Sequence, residues 1–350
     1  MANNRVFYAS HGVALAKETG DTSLATPIYN LQTSSSGGAG AISGLIAVAG
    51  CNSVTMNTNF NLDQVFQLGQ LELYDNVVTD PSVEVTINKT LDGHPSIYEL
   101  AVGSGGIVAN ANKRTKLVLG VGADTNNTLS VTNAIKCDPI YLSSVSYTLG
   151  TDGNFTEECT FVGNDKAIST AAAEQFSAPA KAATGASKVL RRQNLNTTLS
   201  TLPTEVANEN IQSISISADF GREEMFKLGR LSTFHRYVNF PLEVSCDIEV
   251  IATGLDTLAV DVPDTACTGL SLSESSAKFV LCDPSGGNEA YTIDLGSKLK
   301  LTSVAFGGGD TGGGNSNLTF NYVTFNDLDV QSSGHTADRT TLYSNPTGIS

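Results

Sequence analysis

NSVTMNTNFNLDQVFQLGQL (Asn52–Leu71) and QSISISADFGREEMFKLGRL (Gln212–Leu231) are nearly the same sentence, written twice at an offset of 160 residues. Ser53 falls on Ser213, Val54 on Ile214, Met56 on Ile216, Phe60 on Phe220, Phe66 on Phe226, Leu68 on Leu228, Gly69 on Gly229 and Leu71 on Leu231. Tyr74 and Val78 continue the match with Phe234 and Val238. One residue then drops out, and Glu84-Val85-Thr86 meets Glu243-Val244-Ser245 at an offset of 159. Farther on, KLVL (116–119) meets KFVL (278–281). LSSVSYTLGTDGNFTEECTF (142–161) meets LTSVAFGGGDTGGGNSNLTF (301–320), again at 159. Four collinear blocks read as two copies of one unit, 1–166 and 188–330. An Ala- and Ser-rich linker (167–187) joins them, and a polar tail (331–350) follows.

Inside each block the apolar period is two, the mark of a strand with one buried and one wetted face. Ser53, Thr55 and Asn57 alternate with Val54 and Met56, and Ser213, Ser215 and Ser217 alternate with Ile214 and Ile216. Glu84, Thr86 and Asn88 alternate with Val83, Val85 and Ile87; Ser144 and Ser146 flank Val145, with Tyr147 next in phase. After the GTDGN turn, matching the two copies points Cys159, Phe161, Leu318 and Phe320 inward. The same match points Glu158, Thr160, Asn317 and Thr319 outward. Glu157 falls on the inward side by parity and is expected near a strand end. A short helix is expected at 95–102, packing Ile97 and Leu100 on a sheet.

The fold expected from the pattern is all-β: two tandem homologous domains, each with at least four half-buried strands. Val54, Met56, Phe60, Phe66, Leu68 and Gly69, with Ile214, Ile216, Phe220, Phe226, Leu228 and Gly229, are expected to form the duplicated core. The polar faces carry no apolar stripe on which a helix could dock, so they are expected to be wetted. Sheets of this kind leave edges with unpaired backbone groups. Joining duplicated units edge to edge around a ring of subunits would remove every edge and turn the polar face toward a lumen.

The charge balance narrows the function. The chain carries a net charge of −15, shared between its halves: 15 acids against 7 bases in residues 1–165, and 20 against 13 in the remainder. No basic patch exists to hold phosphates by counterion release. The first residues, MANNRVFYAS, lack the layout of a signal peptide, and no stretch approaches a membrane span, so maturation in a cytoplasm without membrane insertion is expected. The six cysteines show no CxxC or CxxH spacing and are expected to be reduced; the Asn-x-Thr triplets are then chance matches.

Catalytic signals are weak. His11, His94, His235 and His335 are scattered, and neither a metal nor a cofactor is expected; His235 and Arg236 are expected to face a neighbouring subunit or solvent. GSGGIVAN (103–110) and GVGAD (120–124) lack the full spacing of phosphate loops and read as flexible turns. GGGDTGGGNSN (307–317) reads as a hairpin tip. No nucleophile elbow or Ser/His/Asp arrangement stands out, so the chain reads as a non-enzyme.

The stretches VTMNTNFNLDQVFQLGQLELYDN, PSVEVTINKTLDG and IQSISISADFGREEMFKLGRLSTFHRYVNFPLEVSCDIEV resemble tail tube and related virion structural proteins of tailed bacteriophages. The resemblance covers most of both units and is weakest in 1–45, the linker and the tail. Its most specific parts are the F-x-LG turns (Phe66–Gly69, Phe226–Gly229) and the paired closing hairpins. It implies a β-barrel or sandwich domain whose hairpins combine around six positions into an inner barrel, with rings stacked into a tube that conducts DNA. Members of the family usually carry one tube domain per chain. A doubled chain implies a homotrimeric ring with pseudo-six-fold symmetry, located in the virion after assembly in the host cytoplasm. The implied partners are further copies of itself and other tail proteins such as sheath, baseplate or terminator.

Six units giving four strands each make about 24 strands and a backbone circle on the order of 50 Å across, leaving roughly 40 Å for a duplex. The lumen lining then expected is Ser53, Thr55, Asn57, Glu84, Thr86, Asn88, Ser144, Ser146, Glu158, Thr160, Ser213, Ser215, Ser217, Asn317 and Thr319. Three other readings stand beside this one: a single baseplate hub ring, a capsid-decoration or adhesion module, and a tail-borne glycan hydrolase. Against adhesion, Trp is absent. Against the hydrolase, no carboxylates cluster as a pair in sequence.

Overall fold

The computed structural model describes residues 11–17, 45–102, 107–108, 114–122, 131–170, 176, 189–203, 206–207, 209–251, 274–284, 289–307 and 316–332. Most of them are β-strand, as the alternating pattern requires. Strands β1 (His11–Lys17) and β2 (Ile46–Ala47) precede a long hairpin, β3 (Cys51–Phe66) and β4 (Leu73–Thr90). Helix α1 (Ile97–Val102) leads to β5 (Thr115–Gly122), β6 (Val131–Gly150), β7 (Thr156–Gly163) and β8 (Lys166–Ser169). The second half contributes β9 (Asn210–Asp219), β10 (Arg222–Met225), β11 (His235–Val238) and β12 (Glu243–Ile251). It ends with β13 (Lys278–Cys282), β14 (Glu289–Asp294), β15 (Lys300–Gly307), β16 (Asn317–Phe325) and β17 (Asp329–Ser332).

Eight antiparallel strands form the central layer in the order β3-β4-β7-β6-β9-β12-β16-β15. The second four follow in the same spatial sequence as their sequence-matched counterparts in the first four. β6 and β9 join the two sets, with Val145 opposite Ala218 and Tyr147 opposite Ile216. The earlier part of β6 leaves this layer to pair with β5 and β8, and β5 continues to β1 and β2. A separate sheet, β13-β14-β17, and a hairpin, β10-β11, complete the strands of the described residues.

One core runs beneath the central layer. Val83, Val85, Ile87, Val145, Tyr147, Cys159 and Phe161 from the first half share it with Ile214, Ile216, Val244, Cys246, Ile248, Leu318 and Phe320. Val13, Leu15 and Leu117 of the β1/β5 sheet and Phe279, Leu281, Tyr291 and Ile293 of β13-β14 join the same cluster. Each large apolar side chain so buried contributes about 1.5–3 kcal/mol. Glu157 is one of the buried polar residues and sits one residue into β7, inward as parity predicts. Its carboxylate accepts the Ile97 and Tyr98 amides at 2.8 and 2.9 Å and the Tyr147 hydroxyl at 2.8 Å, and so anchors α1. Burial pushes its pKa up, against the pull of the Lys89 charge and these donors. The helix then ties the halves together. Tyr98 donates to the Leu328 carbonyl at 2.9 Å, and Ser332 Oγ to Glu99 at 2.6 Å.

Several expectations meet structure at their margins. The helix expected at 95–102 appears as Ile97–Val102. Lys166–Ser169 of β8 overlaps the start of the expected linker, most of which lies outside the described residues. Gln331 and Ser332 of the expected tail belong to β17. Gly120 and Gly122, expected in a flexible turn, are strand residues of β5. The GSGGIVAN segment and the centre of GGGDTGGGNSN lie largely outside the described residues.

Candidate assembly interface

The outward face of the central layer carries the fifteen residues expected to line a lumen, and none of them is buried. They align from strand to strand: Thr55 opposite Thr86, Thr86 opposite Thr160, Thr160 opposite Ser144. A neighbouring row takes Ser53, Asn88, Glu158, Ser146 and Ser217. The polar groups satisfy one another sideways. Thr86 and Thr160 hydroxyls lie 3.2 Å apart, Ser217 and Ser245 hydroxyls 2.7 Å apart, and Asn88 reaches Glu158 at 3.4 Å. Glu249 accepts Ser213 at 3.0 Å and Asn317 at 2.8 Å. Glu84, Glu158, Asp247 and Glu249 give the face its negative sign. Such a surface offers water-bridged contacts to a polyanion and no phosphate clamp. A shallow open depression at its rim, lined by Thr151, Asp152, Gln212, Ser213, Glu249 and Asn317, is part of the same face.

Among the described residues, the two margins of the layer, β3 and β15, are sheet edges. Sequence matching aligns β15 with β6 and β3 with β9, the strands that meet in the middle. Tyr147 of β6 is fully buried, whereas its counterpart Phe306 on β15 is 57% exposed. Val145 is buried and Val304 is exposed. Ile214 and Ile216 are buried on β9, and Val54 and Met56 are half-exposed on β3. The side-chain chemistry is conserved between the matched strands; what differs is whether a neighbouring strand covers it.

The hairpins leaving these strands differ in the same way. The β10-β11 hairpin of the second half folds onto the first half. Phe220 N donates to the Ser143 carbonyl at 2.8 Å, Arg222 Nε to the Leu142 carbonyl at 2.6 Å, and Asn164 Nδ2 to the Thr233 carbonyl at 2.6 Å. Arg222 stacks over the Tyr141 and Phe220 rings at 5.2 and 5.6 Å. Burial lowers the Arg222 pKa to about 9, so the guanidinium stays charged at neutral pH. Arg236 is buried and paired with Glu224, and His235 Nδ1 lies 3.2 Å from the Tyr141 hydroxyl. These contacts correct the expectation that His235 and Arg236 face a neighbouring subunit or solvent. Phe220 could reach this position because Gly221, at φ +47°, turns the chain out of β9.

The first-half hairpin instead runs straight on from the sheet. One of its two bulges falls between Phe60 and Leu62, where Asn61 Nδ2 donates to the Asp80 carbonyl at 3.0 Å. Phe60, Leu62, Phe66, Leu73, Tyr74, Val77 and Val78 are all exposed along it.

Part of the expected duplicated core is therefore corrected. Val54, Met56, Ile214, Ile216 and Phe220 do pack inward, fully or partly. Phe60, Phe66, Leu68, Phe226 and Leu228 do not: Phe60 is 65% exposed, and Leu68 and Leu228 are almost wholly so. Gly69 and Gly229 are not core residues either. They are turn residues at φ +87° and +84°, backbone that a side chain would strain. The apolar tips are exposed in both halves, unlike the hairpin roots. Tyr141, Asn164 and Arg222, which hold the docked hairpin, carried no sequence motif and were missed. A signal was present, because Tyr141 and Asn164 lie at the margins of the last duplicated block, 142–161. Compared with protein-family models and with curated proteins, the chain matches none.

Proposed function

We propose that this chain is a duplicated structural protein of a phage tail, and that three copies form a pseudo-six-fold ring whose rings stack into a conduit for DNA. The observation that carries the reading is the joint between β6 and β9. The two halves meet edge to edge in one continuous layer, while the matched edges, β15 and β3, stay open with apolar side chains exposed. The repeated spatial order of four strands supports the duplication. A heterologous edge that recurs by rotation closes a ring and leaves no free margin. Three chains of eight strands make about 24, the number that encloses a duplex-sized lumen. The hydroxyl-, amide- and carboxylate-rich face then lines the lumen, where it guides DNA without holding it.

Stacking is favoured over a single hub ring by the hairpin tips. Phe66, Leu68 and Leu71, with Phe226, Leu228 and Leu231, are exposed in both halves, so the joint between halves does not cover them. Six such apolar tips per ring suit contact with the next ring or with another tail protein. In this reading the protein is not an enzyme and works in the virion after assembly in the host cytoplasm. Electron microscopy of the purified protein, with mass from light scattering, tests it. Rings or tubes with a hole about 40 Å wide and a mass in multiples of three chains are expected; a stable single chain that forms no rings with other tail proteins would refute the reading.

A further inference from the structure

We propose that the straight hairpin of the first half, residues 59–81, clasps the second half of the next copy of this chain, with Asp75 meeting Lys300. The inference rests on the ring reading and specifies the joint between chains. Its template is the contact already present within the chain, where the hairpin of residues 219–241 lies on the ends of β6 and β7. Carrying each docked position across the alignment, by 160 residues in the hairpin and by 159 in β6 and β7, gives the contacts between chains.

The substituted pairs remain chemically matched. His235 on Tyr141 becomes Asp75 on Lys300, an acid against a base. Thr233 with Asn164, a hydrogen-bonded pair, becomes Leu73 with Val323, an apolar pair. Arg236 with Glu224, which face each other within the docked hairpin, become Asn76 with Gln64, which do so in the straight one. Phe220, whose amide meets the Ser143 carbonyl, becomes Phe60 against Thr302. Across the joint both members change together in the first two pairs; in the third they do so within the hairpin, and in the fourth the phenylalanine is kept while Ser143 becomes Thr302.

The exposures agree. Tyr141 and Phe220 are buried where the hairpin is docked, and Lys300 and Phe60 are exposed at the open counterparts. Lys300 has one loose ion pair, to Glu274 at 3.7 Å on the surface. The adjoining strands extend the joint: Val304 opposite Thr58, Ala305 opposite Asn57 and Phe306 opposite Met56, in the register that Val145, Ser146 and Tyr147 take with Ala218, Ser217 and Ile216.

Thiol crosslinking tests this on the full chain. A sample carrying Asp75→Cys is mixed with one carrying Lys300→Cys and treated with a short bis-maleimide, with the unsubstituted chain as the control for native cysteines. A covalent pair of chains is expected from the mixture. A ladder ending at three is expected when both substitutions are on one chain. Asn57→Cys with Ala305→Cys reports the strand joint separately. If that pair links and Asp75→Cys with Lys300→Cys does not, the clasp is wrong and the ring stands. If neither pair links in the assembled particle, the ring reading fails as well. Charge gives a second readout: Lys300→Glu lowers the fraction of rings, and adding Asp75→Lys restores it. No restoration by the swapped pair would count against the contact.

Discussion

The hairpin at 219–241 and the hairpin at 59–81 share a pattern of apolar residues and the same F-x-LG turn, yet one is folded against its own chain and the other stands free. At their roots Phe220 is 1% exposed and Phe60 is 65% exposed. The strands beside them repeat the contrast, Tyr147 against Phe306. Local sequence does not separate the two cases, since each has the side chains needed for burial. Position in the chain does: the second half has the first half to lie on, and among the described residues the first half has nothing of its own chain in the matching place. A run of exposed apolar side chains such as Phe60, Leu62, Phe66, Leu73 and Tyr74 marks a contact.

The comparison can be broken most forcefully at the joining strands. Tyr147→Ala should destabilise the chain by about 3–5 kcal/mol, because it empties a fully buried site and removes a donor to Glu157. Phe306→Ala should change the melting of an isolated chain by about 0.5 kcal/mol or less, yet lower the yield of rings. Chemical denaturation of both variants, followed by sedimentation, checks the pair. Equal losses of chain stability would remove the distinction between covered and open positions.

A smaller effect is expected in the docked hairpin. Arg236→Ala leaves the Glu224 partner and the Asn164 contact unmet and should cost roughly 1.5–3 kcal/mol. Asn76→Ala, at the matched site of the free hairpin, should cost the isolated chain about 0.5 kcal/mol or less. Proteolysis within 219–241 should rise in the first variant and stay unchanged in the second.

The smallest effect is a pH dependence confined to one hairpin. Burial, with the charges of Arg114 and Arg222, lowers the His235 pKa below its ordinary value of 6.5. The neutral ring is therefore favoured in the folded chain. As pH falls through 6.5 the unfolded chain takes up the proton first, so stability drops until the depressed folded pKa is passed. Melting temperatures across that window should decline in the parent chain and lose this component in His235→Gln. The matched residue of the free hairpin is Asp75.

Much of the fold was legible because strand parity is a local signal. The alternation in Ser53–Asn57 and Ser213–Ser217 marked the wetted face, and matching Cys159-Thr160-Phe161 with Leu318-Thr319-Phe320 set the register of the closing hairpins. Even the buried Glu157 followed from parity. Periodicity says which residues share a face; it does not say whose atoms cover that face. Phe60, Phe66, Leu68, Phe226 and Leu228 were consequently read as core. The docking of His235 on Tyr141, and the pairing of α1 with β17, join residues far apart in sequence and leave no periodic trace. The same holds for the order of the eight strands, which the repeat suggested only through its two halves.

Amide hydrogen exchange on the assembled particle and on the isolated chain tests the central claim most directly. The alternate amides of residues 303–307 and 53–58 that point away from β16 and β4 should exchange quickly in the isolated chain and become as protected on assembly as those of 145–149 and 213–218, which should be slow in both. Equal, fast exchange of the two margins in both samples would contradict the account, because the open edges would then have no partner strand.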